Sequence, residues 1–389
     1  MPRRLDSLNK ANYRGALGWA GSGPTSLHFP LLDALRGFAA ISVVVYHVIE
    51  HFQWSEFPIS GPLVWFRIGG LGVDLFFVIS GFVISLSAFQ RIDANLKGGF
   101  IWPFAVARAT RIVPLHYLTC TVFLIFVEPN LVLVPDIWKQ VLSHTLFVHN
   151  WFLTHQGGIN GVNWSVAAEM QFYILIAFTA RWLRNAPWRL VLLLAVTISW
   201  SWRALSFYMV TQDGAWGTFP VFVYSTQLPG TLDEFVIGIL LARALLSPKG
   251  AKMIIWLNVR PYIALGSAIT VGGLALKIYW WNSTYWNSAA MVIGFKSLLA
   301  VACGLIILTT CLVRRDSVIW VTSPLRYLGV ISYGIYLWHL PVILALKRVT
   351  WLNGATALPW VLGLTIFLAS ASWHYFEQPF IRRNRSKVH

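Results

Sequence analysis

The sequence predicts an all-α fold: a polytopic helical bundle in a membrane, with about ten transmembrane helices and both termini in the cytoplasm. Three observations carry this. Hydrophobic residues make up 57% of the 389, against ~45–50% in soluble domains even when glycine is counted. Charged residues fall to 11%, less than half the usual ~25%, too few to wet the surface of a soluble enzyme. The 30 lysines and arginines, which give a net charge of +16, stand in small clusters between apolar runs, the mark of the positive-inside rule. A nucleic-acid-binding stripe of basic and aromatic residues is absent, so no nucleic acid is expected as partner.

Runs of about 20 apolar residues span the ~30 Å hydrocarbon core as helices. Ten occur, at roughly 31–52, 64–89, 112–127, 163–180, 190–210, 220–246, 262–281, 288–313, 324–346 and 357–381. The third is short, and the segment from Trp102 onward is expected to complete it. The first is long and lacks a small-residue cleavage site, so it is read as a retained span rather than a signal peptide. Clusters such as Arg3, Arg4, Lys10 and Arg14, Arg108 and Arg111, Arg181, Arg184 and Arg189, and Arg382, Arg383, Arg385 and Lys387 fall on one side. That side is the cytoplasm, and an even number of spans fits. The chain then divides into a basic cytoplasmic tail (1–28), one membrane domain (29–381) and a short basic cytoplasmic tail (382–389), with one long external loop at 128–162. Cys120, Cys303 and Cys311 lie in apolar runs without metal-ligand spacing, so neither a disulfide framework nor a metal is expected. The external His144, His149 and His155 have no carboxylate or cysteine companion and give no zinc site.

Charges within spans cost at least ~2.5–3.5 kcal/mol each, so those that persist face the bundle interior or a wet cavity. Arg36 and His47 are eleven residues apart, about 20° beyond three helical turns with a rise of ~16 Å. They share one face of the first span at two depths. Asp74 follows the small residues Gly69, Gly70 and Gly72 and needs a partner. Glu169 is a second intramembrane acid, and Asp233-Glu234 a third acidic spot, for which Arg203 and Arg243 are candidate partners. Arg108 and Arg111, three residues apart, aim two guanidinia at one place, suited to phosphate or to anchoring at the cytoplasmic surface. His339 follows Ser332-Tyr333-Gly334-Ile335-Tyr336-Leu337-Trp338.

Together these strings resemble the acyltransferase-3 family of bacterial integral-membrane acyltransferases, which modify sugars of exopolysaccharides, lipopolysaccharide, Nod factors and some antibiotics. The resemblance runs from about Leu31 to Ile381. It rests on Leu32-Asp33-Ala34-Leu35-Arg36-Gly37 with His47, Gly72-Val73-Asp74 through Ser80-Gly81-Phe82, Arg108 with Arg111, Trp164-Ser165 with Glu169, Ser332-Tyr333 with His339, and Glu377-Gln378-Pro379. It implies that Arg36 and His47 are active-site residues and that Arg108 and Arg111 bind acyl-CoA. Where the family pattern has a second glutamate, this chain has Met170, leaving Glu169 as the acid of that motif. Some members carry a fused extracytoplasmic hydrolase-like domain, for which this chain is too short.

The expected function is O-acyl transfer, with acetyl transfer favoured, at a bacterial inner membrane, from acyl-CoA (acetyl-CoA foremost) to a carbohydrate or glycolipid hydroxyl. His47 is expected to act as base or acyl carrier, with Asp74 or Glu169 holding its tautomer and Arg36 stabilising negative charge. Membrane lipid is the other expected partner, and a homo-oligomer is compatible with this reading. A secondary transporter using the same Arg, His, Asp and Glu as a substrate or proton path is the alternative, opposed by the lack of an evident inverted repeat.

Overall fold

A computed structural model of the protein describes residues 29–93, 99–210, 217–282, 284–312 and 316–385. The expected tail at 1–28 lies outside these, as do Lys97, Arg314, Arg315 and residues 386–389. Among the described residues there are helices and no strands. The first helix, α1, runs Pro30–His51. A 3₁₀ segment, Pro62–Leu71, leads into α2, Gly72–Asp93. Helix α3, Ile101–Val122, continues as a π turn to Val127, so the third span is completed upstream as expected. Then come α4, Ile137–Thr145; α5, Trp164–Asn185; α6, Trp188–Val210; α7, Phe219–Ser225; α8, Leu228–Leu246; α9, Pro248–Asn258; and α10, Pro261–Trp281. A π turn, Met291–Phe295, precedes α11, Lys296–Leu312. Last are α12, Asp316–Val321; α13, Ser323–Val330; α14, Ser332–Lys347; α15, Gly354–Ser372; and, after a π turn, α16, Gln378–Arg385.

Proline opens many of these helices, α1, α7, α8, α9, α10 and α13 among them. There its missing N–H costs nothing and its φ is already helical. The start of α15 is fixed instead by a reciprocal cap, with Asn353 Oδ1 accepting from the Thr356 N–H at 3.0 Å and Thr356 Oγ1 accepting from the Asn353 N–H at 2.9 Å. Among the described residues, seven helical segments are long and apolar enough to cross a membrane, and α13 with α14 makes an eighth if the pair counts as one span. The other two expected spans form as helices α5 and α8; the latter carries Asp233, Glu234 and Arg243.

Two expected spans are not straight. The run at 220–246 breaks at Thr226–Gln227, where Gln227 is extended and Pro229 opens the next helix. The run at 324–346 bends by 75° between α13 and α14. That bend lets α13 lie against the beginning of α1 through glycine. A Cβ at Gly37 would stand 2.1 Å from the Leu325 carbonyl oxygen, and one at Gly329 would stand 1.8 Å from that of Asp33. After the bend, α14 is buried from Ser332 to Ile343, and its His339 reaches α1. Helices α2 and α8 meet the same way, through Gly81 and Gly238.

The most deeply buried charges join α2, α6, α8 and α11. Arg203 is 0% exposed and grips both Asp233 oxygens at 2.6 and 3.1 Å, with the Gly230 and Ile293 carbonyls as further acceptors at 2.5 and 3.1 Å. Lys296 donates to Asp74 at 2.8 Å and lies 3.8 Å from Glu234. Ser297 donates to Asp233 at 2.5 Å and accepts from Trp200 Nε1 at 2.8 Å. Of the two candidate partners for the acidic pair, Arg203 takes it, and Arg243 donates to the Ala186 carbonyl at 2.7 Å. In this network two cations, Arg203 and Lys296, are shared among three carboxyls, Asp74, Asp233 and Glu234, and Glu234 Oε2 is left without a partner among the described residues.

Candidate active site

Helix α1 carries two chemically different poles. Near its end, His47 Nδ1 lies 3.0 Å from the Val43 carbonyl oxygen and 3.1 Å from His339 Nε2. His339 is 0% exposed, and its Nδ1 is 3.3 Å from the Ile335 carbonyl oxygen. A carbonyl only accepts, so His339 holds its proton on Nδ1 and presents a bare Nε2. His47 must then carry its proton on Nδ1, donating to both acceptors, which leaves His47 Nε2 with a free lone pair. Among the described residues that nitrogen has no protein partner, and the side chain is only half-buried. A neutral imidazole with one nitrogen anchored and the other open is the arrangement of a general base or nucleophile.

This corrects the expected second partner of His47. Neither Asp74 nor Glu169 orients it. Asp74 is held by Lys296, and Glu169 Oε1 accepts from Ser80 Oγ and Tyr173 OH at 2.5 Å each. The orienting group is a second histidine, which the sequence offered without indicating the pairing. His51, one turn further along α1, extends the row, with its ring 6.2 Å from that of His47.

The other pole gathers arginines. Arg36, on α1, stands in the electrostatic field of Arg111, Asp33, Glu169 and Tyr173, and Arg108 in that of Tyr173, Arg111, Glu169 and Arg91. Arg108 also lies over the Phe104 ring and Arg111 over the Trp373 ring, at 5.8 Å each. Among the described residues none of Arg36, Arg108 and Arg111 forms an ion pair within 4.0 Å. The Nε atoms of Arg36 and Arg108 are buried without a protein partner. Three guanidinia therefore gather near Glu169, which is already hydrogen-bonded to Ser80 and Tyr173, while Asp33 also acts on Arg36 and Glu377 on Arg111. Guanidinia with buried N–H groups left unbonded suit an added anion such as a phosphate ester.

Helix α14 runs between the poles. Tyr333 OH donates to the Ile112 carbonyl at 2.8 Å, beside Arg111, and His339 follows six residues later. Ser165 Oγ donates to Tyr336 OH at 2.8 Å, which donates to the Val162 carbonyl at 2.7 Å. Trp164 packs edge-on between Phe77 and Phe222, with centroids at 6.1 and 5.2 Å. Ser332 is buried, and its Oγ has no partner among the described residues. The motif residues Ser165 and Tyr336 thus tie α5 to α14, while Arg36, Arg108 and Arg111 lie at one pole and His47 and His339 at the other. Sequence reasoning passed over Lys296, Tyr173 and Tyr336. The lysine's position inside an apolar run was a signal of the same kind as Asp74.

The model of the acyltransferase-3 family, described as an acyltransferase domain, matches residues 29–375. The chain belongs to the acyltransferase-3 family. Among its relatives are YrhL of Bacillus subtilis (strain 168), 26% identical over 377 residues, and a protein of Listeria monocytogenes named peptidoglycan O-acetyltransferase OatA, 26% identical over 384 residues. A protein of Staphylococcus aureus named O-acetyltransferase OatA is 25% identical over 379 residues. These alignments cover 90–92% of this acyltransferase-3 chain but only 55–58% of the relatives, so the chain spans little more than half their length. No solved structure matches it.

Outside the two poles, the region at 128–162 holds a second histidine cluster. His144 and His149 stack with ring centroids 3.9 Å apart, and His155 Nδ1 lies 3.0 Å from Ser143 Oγ. Among the described residues no group of His, Cys, Asp and Glu is arranged to hold a metal. Burial is the main cause that holds His144 down at about 4 and His149 well below the ordinary histidine range. The sign follows: the unfolded chain binds more protons than the folded one between the ordinary value near ~6.5 and about 4. Stability is therefore intact above that window and lost as pH falls through it. Hydrogen exchange at residues 137–163 is expected to quicken between pH 6.5 and 4.5, and exchange independent of pH, after correction for the intrinsic rate, would contradict this.

Proposed function

We propose that this acyltransferase-3 chain is a multi-pass O-acyltransferase of a bacterial inner membrane that moves an acetyl group from acetyl-CoA to a hydroxyl of a surface glycan. The observation that carries the reading is the His47–His339 pair, with His47 Nε2 left open, on the same helix face as Arg36 and about 16 Å along its axis. Arg36, Arg108 and Arg111 bind the phosphates of the donor, and the thioester end of its extended arm lies at His47. His47 Nε2 takes the proton of the acceptor hydroxyl as its oxygen attacks the thioester carbonyl. When the tetrahedral intermediate collapses, His47 returns that proton to the departing thiolate, giving an ester and free CoA. Transfer through an acyl-histidine uses the same nitrogen as nucleophile. His339 holds the His47 tautomer in either route.

The basic clusters support placing the arginine pole on the cytoplasmic side, where the donor is found, and His47 toward the outside. The name of the Listeria relative favours peptidoglycan among the surface glycans as acceptor, in place of exopolysaccharide or lipopolysaccharide. Replacing Arg108 or Arg111 with alanine should raise the KM for acetyl-CoA about tenfold to a hundredfold, the worth of one charge-assisted hydrogen bond. Lysine should restore part of it, because a point charge lacks the paired donor geometry. Unchanged donor KM in both alanine variants would reduce these residues to topological anchors and remove the donor site from the reading.

A further inference from the structure

The segment expected as an external aqueous loop, 128–162, contains a helix with its polarity reversed. At about 100° per residue, Trp138, Val141, Leu142 and Thr145 of α4 share one face, and Gln140, Ser143 and His144 the opposite one. The apolar face is the outer one: Trp138 is 60% exposed, Leu142 50% and, just beyond the helix, Leu146 59%. The polar face is the inner one, with Ser143 and His144 buried and Gln140 Oε1 buried without a protein partner. A helix lying on a soluble surface has the reverse arrangement.

We infer that α4 lies in the outer boundary of the bilayer, its apolar face against lipid acyl chains and its polar face covering the region beside α14. Lipid is the occupant that the surroundings favour. The exposed apolar surface is continuous with the end of the α3 span, through Ile125, Phe126, Val132 and Leu133, the last 82% exposed. The charges at its border are paired, Asp136 with Lys139 at 2.9 Å and Glu128 with Arg348 at 3.1 Å. The Lys139 ammonium lies 5.5 Å from the Trp138 ring, and tryptophan beside a basic residue is what anchors a segment at the headgroup level. Behind α4, the Asn160 side chain donates to the Leu337 carbonyl at 3.0 Å, two residues before His339. A lipid-seated α4 would therefore close the membrane side of the histidine pole.

The test uses the full chain in liposomes of phosphatidylethanolamine and phosphatidylglycerol, with a nitroxide on Leu142→Cys, Leu133→Cys or, as an aqueous reference in another loop, Glu56→Cys. The parent, with its three cysteines, is treated in parallel and its signal subtracted. Oxygen, which concentrates in lipid, should broaden or relax the labels at 133 and 142 more than a water-soluble nickel chelate does, with the order reversed at 56. Nickel accessibility at 142 equal to that at 56 would overturn the inference. Shielding from both reagents would overturn it in favour of a second copy of the chain on this face. If Leu142→Cys does not fold, Thr145→Cys on the same face gives the same reading. None of these outcomes depends on catalysis.

Discussion

Acyl transfer by His47→Ala should fall by about 10²–10⁴-fold, the usual contribution of a general base, while affinity for acetyl-CoA stays at the parental value. The division follows from the two poles. His47 is ~16 Å along α1 from Arg36, so its removal leaves Arg36, Arg108 and Arg111 in place. His47 is only half-buried and makes its hydrogen bonds through Nδ1 alone, so the variant should remain folded and monodisperse. His339→Ala should lower transfer less, because it releases the tautomer without removing the base. A packing histidine would behave otherwise, with activity falling only as folded protein is lost.

Arg203→Leu should produce the largest loss of folded protein. The guanidinium is the principal partner of Asp233 and lies 3.3 Å from Glu234. Removing one member of a buried charge network strands the others and costs about 3–5 kcal/mol. Thermal unfolding in detergent should show a strongly lowered Tm or no folded variant at all. Adding Asp233→Asn should recover part of the loss by removing the stranded charge. A single variant that melts with the parent would mean that water or lipid headgroups already solvate this region.

Most of the scaffold was legible because lipid imposes a simple rule: apolar runs of span length must be helices. The runs around Arg36, Arg203 and Met291 became helices at nearly their expected positions. The breaks were less visible. Pro229 marks one plainly, but the 75° bend before Ser332 goes with Gly329 packing onto the Asp33 carbonyl, a contact between residues almost 300 positions apart. The same distance hid the histidine pair. Cost arguments flagged His47 and Asp74 as charges or polar groups needing partners, but a one-dimensional pattern holds nothing to choose between Glu169, Lys296 and His339. Helix α4 was hidden for another reason, since its alternation of polar and apolar residues is the same whichever face meets the protein.

In the proposed reaction, His47 transfers an acyl group from a donor held at the arginine pole. Its most direct measurement uses purified protein in proteoliposomes, acetyl-CoA labelled in the acetyl group, and soluble peptidoglycan fragments as acceptor, with CoA thiol and glycan ester counted together. One ester should form per thiol released in the parent, and neither should rise above background in His47→Ala at the same donor occupancy. Parental thiol release and ester formation by the alanine variant would contradict this reaction, as would passage of label across the membrane without any ester.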